Sequence, residues 1–179
     1  MGSVLRIDPA VIKPQVLVVA HVRELSSQIA NVYTKLCKYT NINVTNFTIT
    51  NQVDGVHVVV TTLGKLANNL KKRGNSGKLD LSQLKCFVVD ESDVFFGDQR
   101  NLSQLKEIHS NYIAKLPQKV QHIFFSATYF SVCTFFFSSS ISLSFAFNSC
   151  FCPSTYFLIR SLSVYLLSSS IYMCIILFS

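Results

Sequence analysis

Three carboxylates lie close together in the segment Lys85–Asp93, whose sequence is KCFVVDESD. The apolar run Cys86–Val89 is typical of a strand buried on both faces, and Asp90, Glu91 and Asp93 follow it directly. In open α/β sheets, ligands bind at the carboxyl ends of the strands, where one acid can hold Mg²⁺ and another can orient or deprotonate a water. The alternative is an Asp that caps the next helix. Three carboxylates in four positions favour a shared cation, because crowded like charges cost free energy.

The elements around this segment alternate between strand and helix patterns. Strands are predicted over residues 15–20, 43–50, 56–60, 86–89 and 120–125, and helices over 23–39, 63–70 and 102–116. This alternation predicts an α/β fold, with a parallel sheet covered by helices on both faces. Right-handed crossovers would bring the segments that start at His21, Thr61, Asp90 and Ser126 to one edge of the sheet.

Charge is distributed unevenly along the 179 residues. All 9 acidic residues and 15 of the 16 Lys and Arg residues precede Phe130, so residues 1–129 carry a net charge of 15 − 9 = +6. This basic excess suits a polyanionic partner without requiring one. The N-terminus has no secretory signal pattern, and the Cys150–Cys152 pair lacks zinc-site spacing. The four histidines also show no metal-ligand spacing and are interpreted as structural; they are His21, His57, His109 and His122.

Four short motifs occur in order at the predicted strand ends: VREL at 22–25, TLGKL at 62–66, DESD at 90–93 and SAT at 126–128. Together they resemble the first RecA-like domain of the DEAD-box ATP-dependent RNA helicases. The resemblance runs from about Leu5 to Tyr129. Within that family, RIDPAVIKPQVLVVA, GDQRNLSQLKEI and LPQKVQHIFFSATY are most similar to the mRNA-export subfamily, which acts at the nuclear pore.

The resemblance implies an ATP and magnesium site at the acidic segment. Asp90 would hold the Mg²⁺ of bound ATP through water, and Glu91 would polarise the attacking water. Asp93, Ser126 and Thr128 would link the state of the nucleotide to the grip on RNA, although Ser126 and Thr128 taken alone could simply cap a helix. Ser92 stands where the family motif has Ala.

The resemblance also implies an RNA-binding surface built from Arg23, Thr62, Gly64 and Lys65. These residues would contact phosphates rather than base edges, so the expected binding is independent of sequence. Taken alone, Arg23 and its neighbour Glu24 could be an ordinary solvated pair. The family resemblance predicts a cytoplasmic or nuclear protein with nuclear-pore or mRNP partners.

Several family features are missing from the chain. No GxxxxGK(S/T) P-loop is present, and Gly74–Leu79 only imitates one, because its spacing is short and Leu79 has no hydroxyl. The P-loop segment would lie before Met1, and a second RecA-like domain is also absent. We therefore expect a partial domain, truncated at both ends, that is inactive alone. The alternative is a non-catalytic RNA- or partner-binding remnant.

Residues 130–179 form a separate hydrophobic, low-complexity tail with 14 Ser, 9 Phe and a single charge at Arg160. Its residue types are those encoded by T-rich codons, which favours a read-through of non-coding or frame-shifted sequence. The alternative is a membrane anchor, because the uncharged run Phe130–Ile159 exceeds the roughly 20 residues that a spanning helix needs. On either interpretation the tail lies outside the RecA-like fold.

Overall fold

The computed structural model describes residues 2–51, 54–72 and 78–126, together with the backbone of three strands between 157 and 178. The strands are β1 (Val16–Ala20), β2 (Val44–Asn46), β3 (Val58–Thr62), β4 (Cys86–Val89), β5 (Gln121–Ser126), β6 (Phe157–Ile159), β7 (Leu162–Leu167) and β8 (Met173–Phe178). The helices are α1 (Arg23–Leu36), α2 (Leu63–Leu70), α3 (Ser92–Gly97) and α4 (Gln99–Ile108), with a 3₁₀ turn at Val4–Arg6 and a π-helical turn at His109–Ile113.

The first five strands form a parallel sheet in the order β2-β3-β1-β4-β5. Successive strands are connected through helices or long loops, as parallel pairing requires. The predicted α/β fold is confirmed. Strands β6, β7 and β8 pair in an antiparallel manner, and β8 joins the sheet beside β5, from His122↔Phe178 to Ser126↔Cys174.

Alternate residues of the central strands enter two hydrophobic cores, one on each face of the sheet. In β1, Leu17 and Val19 belong to the first core, whereas Val16 and Val18 belong to the second. Helices α2, α3 and α4 cover the first face, and α1 covers the second through residues such as Ala30. Because both faces are buried, β1 has no polar position, which explains its continuous apolar sequence.

Two of the predicted strands differ from the observed ones. The predicted strand 43–50 is paired only over Val44–Asn46. The chain then turns, because the Asn46 side chain accepts a hydrogen bond from the Thr48 backbone N–H at 3.1 Å and Phe47 is drawn into the first core. The predicted strand 56–60 lies two residues later, at Val58–Thr62.

The predicted helix 63–70 matches α2 at both ends, whereas α1 and α4 differ from their predicted lengths. Helix α1 ends at Leu36, before the predicted end at Tyr39, because the Thr40 side chain and backbone N–H both donate to the Cys37 carbonyl and form a turn. Helix α4 begins earlier than predicted, because the Asp98 side chain caps it by accepting from the Arg100 backbone N–H at 2.9 Å. Helix α3 was not predicted.

The segment after α4 forms a π-helical turn. The Ala114 backbone N–H donates to the His109 carbonyl at 2.8 Å, a bond that spans five residues. This wider turn leaves both Ile108 and Ile113 buried in the first core. The same turn brings His109 against β5.

The buried side chain of Gln15 fixes the N-terminal segment to the sheet. It accepts from the Asp8 backbone N–H at 2.9 Å and donates to the carbonyls of Asp8 at 2.7 Å and Val11 at 2.8 Å. These bonds hold residues 8–11 against the amino ends of β1 and β4, at the edge opposite the acidic segment.

The tail predictions fall largely outside the described residues. Among the residues that are described, no helix combines the length and the apolar character needed to cross a bilayer. The P-loop imitation at Gly74–Leu79 also lies mostly outside them, since residues 73–77 are not described.

Candidate functional site

The strand register brings the predicted site segments to one edge of the sheet. Ala20 pairs with Thr62, Val19 pairs with Val89, and Val89 pairs with Phe124. The residues that follow these pairs therefore leave the sheet at the same level and on the same side. This edge carries the start of α1, the start of α2, the acidic turn after β4 and the end of β5.

An open groove of about 370 Å³ lies at the starts of α1 and α2. Three of the four predicted RNA-contacting residues line it: Arg23, Thr62 and Gly64. The remaining lining residues are His21, Val22, Glu24, Leu63, Phe95 and Asn101. Gly64 is exposed, and a Cβ added there would meet nothing within 4 Å. Its role, if it contacts a ligand, is therefore to admit an incoming group rather than to avoid a neighbour in the fold.

The two helix starts at this groove are suited to bind anions. Neither Val22, the N-cap of α1, nor Thr62, the N-cap of α2, uses its side chain to cap its helix. The first-turn N–H groups of a helix have no acceptor within the helix, and the helix dipole places positive charge there. The starts of both helices and Arg23 thus lie at the same groove, and such an arrangement is suited to binding phosphates.

Lys65 lies beside the groove but is held by groups of the protein. Its ammonium donates to the Asn51 side-chain oxygen at 2.8 Å and lies 5.6 Å from the centre of the Phe47 ring. The side chain is half-buried. The structure thus fixes the position of this charge, which would reduce the side-chain entropy lost on binding an anion.

Hydrogen bonds between α1 and the β2 turn fix the position of Arg23. The buried Ser26 hydroxyl donates to the Arg23 carbonyl at 2.7 Å and contacts the Thr48 hydroxyl at 3.0 Å. The Asn46 side chain donates to the Ser27 hydroxyl at 3.0 Å. The turn that replaces the second half of the predicted strand 43–50 therefore has a role, which is to support the first turn of α1.

The acidic turn begins directly at the end of β4. The Asp90 backbone N–H donates to the Val19 carbonyl at 3.0 Å, and the Asp90 carboxylate accepts from the Glu91 backbone N–H at 3.0 Å. Glu91 is exposed and adopts the left-handed conformation, with φ 50° and ψ 47°. For a residue with a side chain this conformation costs about 1–2 kcal/mol. Such strain is concentrated at functional sites.

The Asp90 carboxyl is half-buried among negative charges. Burial raises the pKa of Asp90, the charge of Asp93 raises it further, and the hydrogen bond from Glu91 opposes both effects. A cation near Asp90 would offset the burial and the repulsion, so the site fits a positively charged ligand.

The donor set fits a hydrated Mg²⁺ better than a directly bound ion. Within the described ranges, no group of three or more His, Cys, Asp and Glu side chains is placed to hold a metal. Mg²⁺ commonly keeps several waters and is bound through one or two carboxylates and the phosphates of a substrate. Asp90 and Glu91 supply the carboxylates that such a site requires.

The end of β5 is tied to the acidic turn by a buried side chain. The Ser92 hydroxyl, which is fully buried, donates to the Phe125 carbonyl at 2.9 Å. The next residue, Ser126, is also buried. Of the predicted coupling residues, Asp93 and Ser126 are thus on adjacent segments, whereas Thr128 lies outside the described residues.

The chain was compared with known proteins. Residues 3–135 match the family model described as DEAD/DEAH box helicase. The chain is 34% identical over 129 residues to the ATP-dependent RNA helicase dbp5 of Schizosaccharomyces pombe, covering 69% of this chain and 24% of that protein. It is 32% identical over 131 residues to the ATP-dependent RNA helicase DeaD of Escherichia coli K12, covering 68% of this chain and 19% of the relative.

The family match spans most of the chain. This protein belongs to the DEAD/DEAH box helicase family. Its fold is similar to a solved structure of a Saccharomyces cerevisiae Dbp5 variant bound to Nup159, Gle1, IP6 and ADP, with a TM-score of 0.60 and 26% identity. That similarity covers 74% of this chain and 35% of the solved chain. The resemblance to RecA-like helicase domains is thereby confirmed.

DEAD/DEAH box helicases use ATP, but this chain spans only about a quarter of the length of the curated relatives it matches, 24% and 22% for the two dbp5 proteins. The DESD sequence at Asp90–Asp93 resembles the motif that gives the family its name. Two residues that line the groove, Phe95 and Asn101, belong to no motif and were missed. Their only sequence signal is that they closely follow the motif, on α3 and α4.

Proposed function

We propose that this chain is part of a DEAD-box ATP-dependent RNA helicase, which couples RNA-stimulated ATP hydrolysis to the separation of short duplexes or the removal of bound proteins. The observation that supports the proposal is the shared sheet edge. The register of β1, β3 and β4 places the groove with Arg23, Thr62 and Gly64 on the same edge as Asp90 and Glu91. An enzyme that couples the state of its nucleotide to RNA binding needs the nucleotide site and the RNA site close together.

In the proposed mechanism, each residue acts through charge or position. Asp90 would hold the hydrated Mg²⁺ of bound ATP, and Glu91 would orient and polarise the attacking water. When bound, the ion would neutralise the negative charge that develops on the phosphates. Asp93, Ser126 and Thr128 connect this site to the groove. The role of the protein is thus mainly electrostatic stabilisation in a fixed geometry.

RNA would bind along the starts of α1 and α2. Arg23 and Lys65 would contact phosphates, the Thr62 hydroxyl and the first-turn N–H groups would donate hydrogen bonds, and Gly64 would permit close approach of the backbone. These groups recognise phosphates and sugars, so binding is expected to be independent of base sequence.

Photo-cross-linking tests this placement. Single-stranded RNA that carries 4-thiouridine would be irradiated with the protein at low salt, and the cross-linked peptides would be identified by mass spectrometry. We expect cross-links within residues 21–26 and 62–66, and a lower yield in Arg23→Gln. Cross-links confined to the opposite edge, for example around Lys119, would contradict the proposed surface.

We further propose that this polypeptide alone neither binds ATP tightly nor hydrolyses it. The support is the sequence, which contains no GxxxxGK(S/T) segment to hold the phosphates. A titration with a fluorescent ATP analogue should show no saturation at micromolar concentrations, with or without RNA. Micromolar affinity, or RNA-stimulated phosphate release, would contradict the inactivity.

A second candidate function is that of a non-catalytic RNA- or partner-binding remnant. The combination of an intact groove at Arg23 and Thr62 with the missing P-loop motif favours it. Salt-dependent RNA binding with no ATPase activity, even when the remaining helicase segments are supplied, would distinguish the remnant from a helicase part. Recovery of ATPase activity in that mixture would favour the helicase.

The similarity to the dbp5 proteins supports a place in mRNA export. We propose that the parent protein occurs in the nucleus and cytoplasm and associates with mRNPs and nuclear-pore components. The solved Dbp5 variant of similar fold was bound to Nup159 and Gle1. Co-precipitation of this chain with purified Gle1 or Nup159 tests the proposal, and absence of binding to both at micromolar concentration would contradict it.

A further inference from the structure

The fold brings two histidines together far from the groove. His109 begins the π-helical turn, and His122 lies near the amino end of β5, 13 residues later in the sequence. Their Nε2 atoms are 3.1 Å apart. Both side chains are half-buried, so the pair is shielded but still reached by solvent. Nothing in the helicase mechanism uses them.

We propose that His109 and His122 form a two-histidine binding site for a late first-row divalent transition-metal ion such as Zn²⁺ or Cu²⁺. Imidazole nitrogen is a preferred ligand of these ions. The inference is independent of the proposed RNA and ATP functions, because both residues lie at the opposite edge of the sheet from Asp90.

The separation of the two nitrogens matches the requirement of one ion. With metal–nitrogen bonds of about 2.0–2.1 Å, two nitrogens on one ion lie about 2.9 Å apart at a right angle and about 3.4 Å apart at a tetrahedral angle. The observed 3.1 Å between His109 and His122 falls within this interval. An ion could therefore bind both rings with little movement of the backbone.

The arrangement of the two rings is compatible with an ion bound beside the pair. A straight N–H···N hydrogen bond along both ring axes would separate the ring centres by about 5.4 Å. The centres of His109 and His122 are 5.0 Å apart, and the ring planes are inclined by 56°. The two rings therefore do not lie along one straight line, which leaves room for an ion beside the line that joins the two Nε2 atoms.

The surroundings of His122 restrict its ring and keep it neutral, which is the form of histidine that binds a metal ion. Its ring makes an edge-to-face contact with Phe87 at 5.9 Å, which restricts the orientation of the ring. Burial also lowers the pKa of both histidines, which keeps the rings neutral near pH 7.

The two rings occupy only part of the coordination sphere of an ion. No group of three or more candidate ligand side chains was found within the described part of the chain, so water would complete the site. Two ligands from different elements would nevertheless link the π-helical turn to β5. We therefore expect an exchangeable ion that stabilises the fold by binding the native state and not the unfolded chain.

The test is metal binding by the untagged full chain after dialysis against a chelator. Isothermal titration with Zn²⁺ should give one ion per chain. His109→Gln and His122→Gln should each weaken binding by more than about tenfold. The reason is that loss of a direct ligand should cost at least as much affinity as loss of an outer-shell partner, which typically costs about 10–100-fold. The matched control His21→Gln removes a histidine that contacts Phe95 but no other histidine, and it should bind Zn²⁺ as the wild type does.

A second measurement does not depend on the variants folding. Electron paramagnetic resonance of the wild-type chain with one equivalent of Cu²⁺ should show hyperfine coupling to two imidazole nitrogens. Coupling to fewer than two, or equal loss of Zn²⁺ affinity in His21→Gln, would overturn the proposal. Absence of binding at millimolar Zn²⁺ would also overturn the proposal. The pair would then be two rings joined by an N–H···N hydrogen bond.

Discussion

The proposed RNA surface makes a quantitative prediction about salt. Two cationic side chains, Arg23 and Lys65, lie at the groove or beside it. Each phosphate neutralised on single-stranded nucleic acid contributes about −0.7 to the slope of log K against log salt concentration. Two contacts therefore predict a contribution of about −1.4 from this surface. Replacing either residue with Gln should make the measured slope less negative by about 0.7.

The assay is fluorescence anisotropy of a labelled single-stranded RNA of about ten nucleotides, a length within the usual site sizes for such surfaces. Affinity would be measured from about 30 to 200 mM potassium chloride, a range over which counterion release changes binding substantially. Arg23→Gln, Lys65→Gln and the double variant would be compared with the wild type. The two single effects should add, because each residue would contact a different phosphate.

The control variant should also remove one positive charge, but at a position away from the groove. Lys119 is exposed and lies just before the amino end of β5, at the edge opposite the groove. Lys119→Gln therefore removes one positive charge without touching the proposed surface, and its slope should equal that of the wild type. If the three single variants reduce the slope equally, binding reflects net charge alone and the reasoning from the groove is refuted.

Three further predictions concern stability and are checked by urea unfolding. Gln15→Met should lower the free energy of unfolding by about 2–3 kcal/mol, because it removes three hydrogen bonds of a buried amide, whereas an effect below about 0.5 kcal/mol would contradict that account. Ser92→Ala should cost about 1 kcal/mol through loss of the bond to the Phe125 carbonyl, and an unchanged midpoint would show that the bond contributes nothing. Burial lowers the pKa of His122 to about 4. Since the unfolded chain binds the proton more readily, the stability due to this residue is complete above about pH 6.5 and is lost as pH falls towards 4, by up to about 3 kcal/mol. With chelator present, His122→Gln should not lose this stability as pH falls. Identical pH profiles of stability for the wild type and the variant would refute the prediction.

Much of the fold could be predicted because the central strands obey one simple rule. A strand buried on both faces must be apolar at every position, and the sequences of β1 and β4 show this directly. The predicted strand at 43–50 failed for a physical reason. Alternating apolar and Thr residues indicate a half-exposed strand, but the pattern cannot show that Asn46 would accept a hydrogen bond from Thr48 and turn the chain.

The site was predictable to the extent that it depends on strand ends. Arg23, Thr62, Gly64 and Asp90 are each at or next to the end of a parallel strand or the start of the helix that follows, so topology alone places them on one edge. The contact between His109 and His122 was not predictable, because it depends on a π-helical turn. Regular helical periodicity carries no signal for such a turn.

The geometry around the acidic turn suggests how the two halves of the site are connected. Helix α3 starts directly after Glu91 and is only six residues long. Its Phe95 is buried, lines the groove and makes an edge-to-face contact with His21 at 5.7 Å. We therefore expect a change in the backbone at Asp90, where Glu91 is already strained, to displace Phe95 or to disturb the packing of α3. Because packed cores rearrange between discrete states rather than deform continuously, we propose that this short helix carries such a change from the carboxylates to the groove wall.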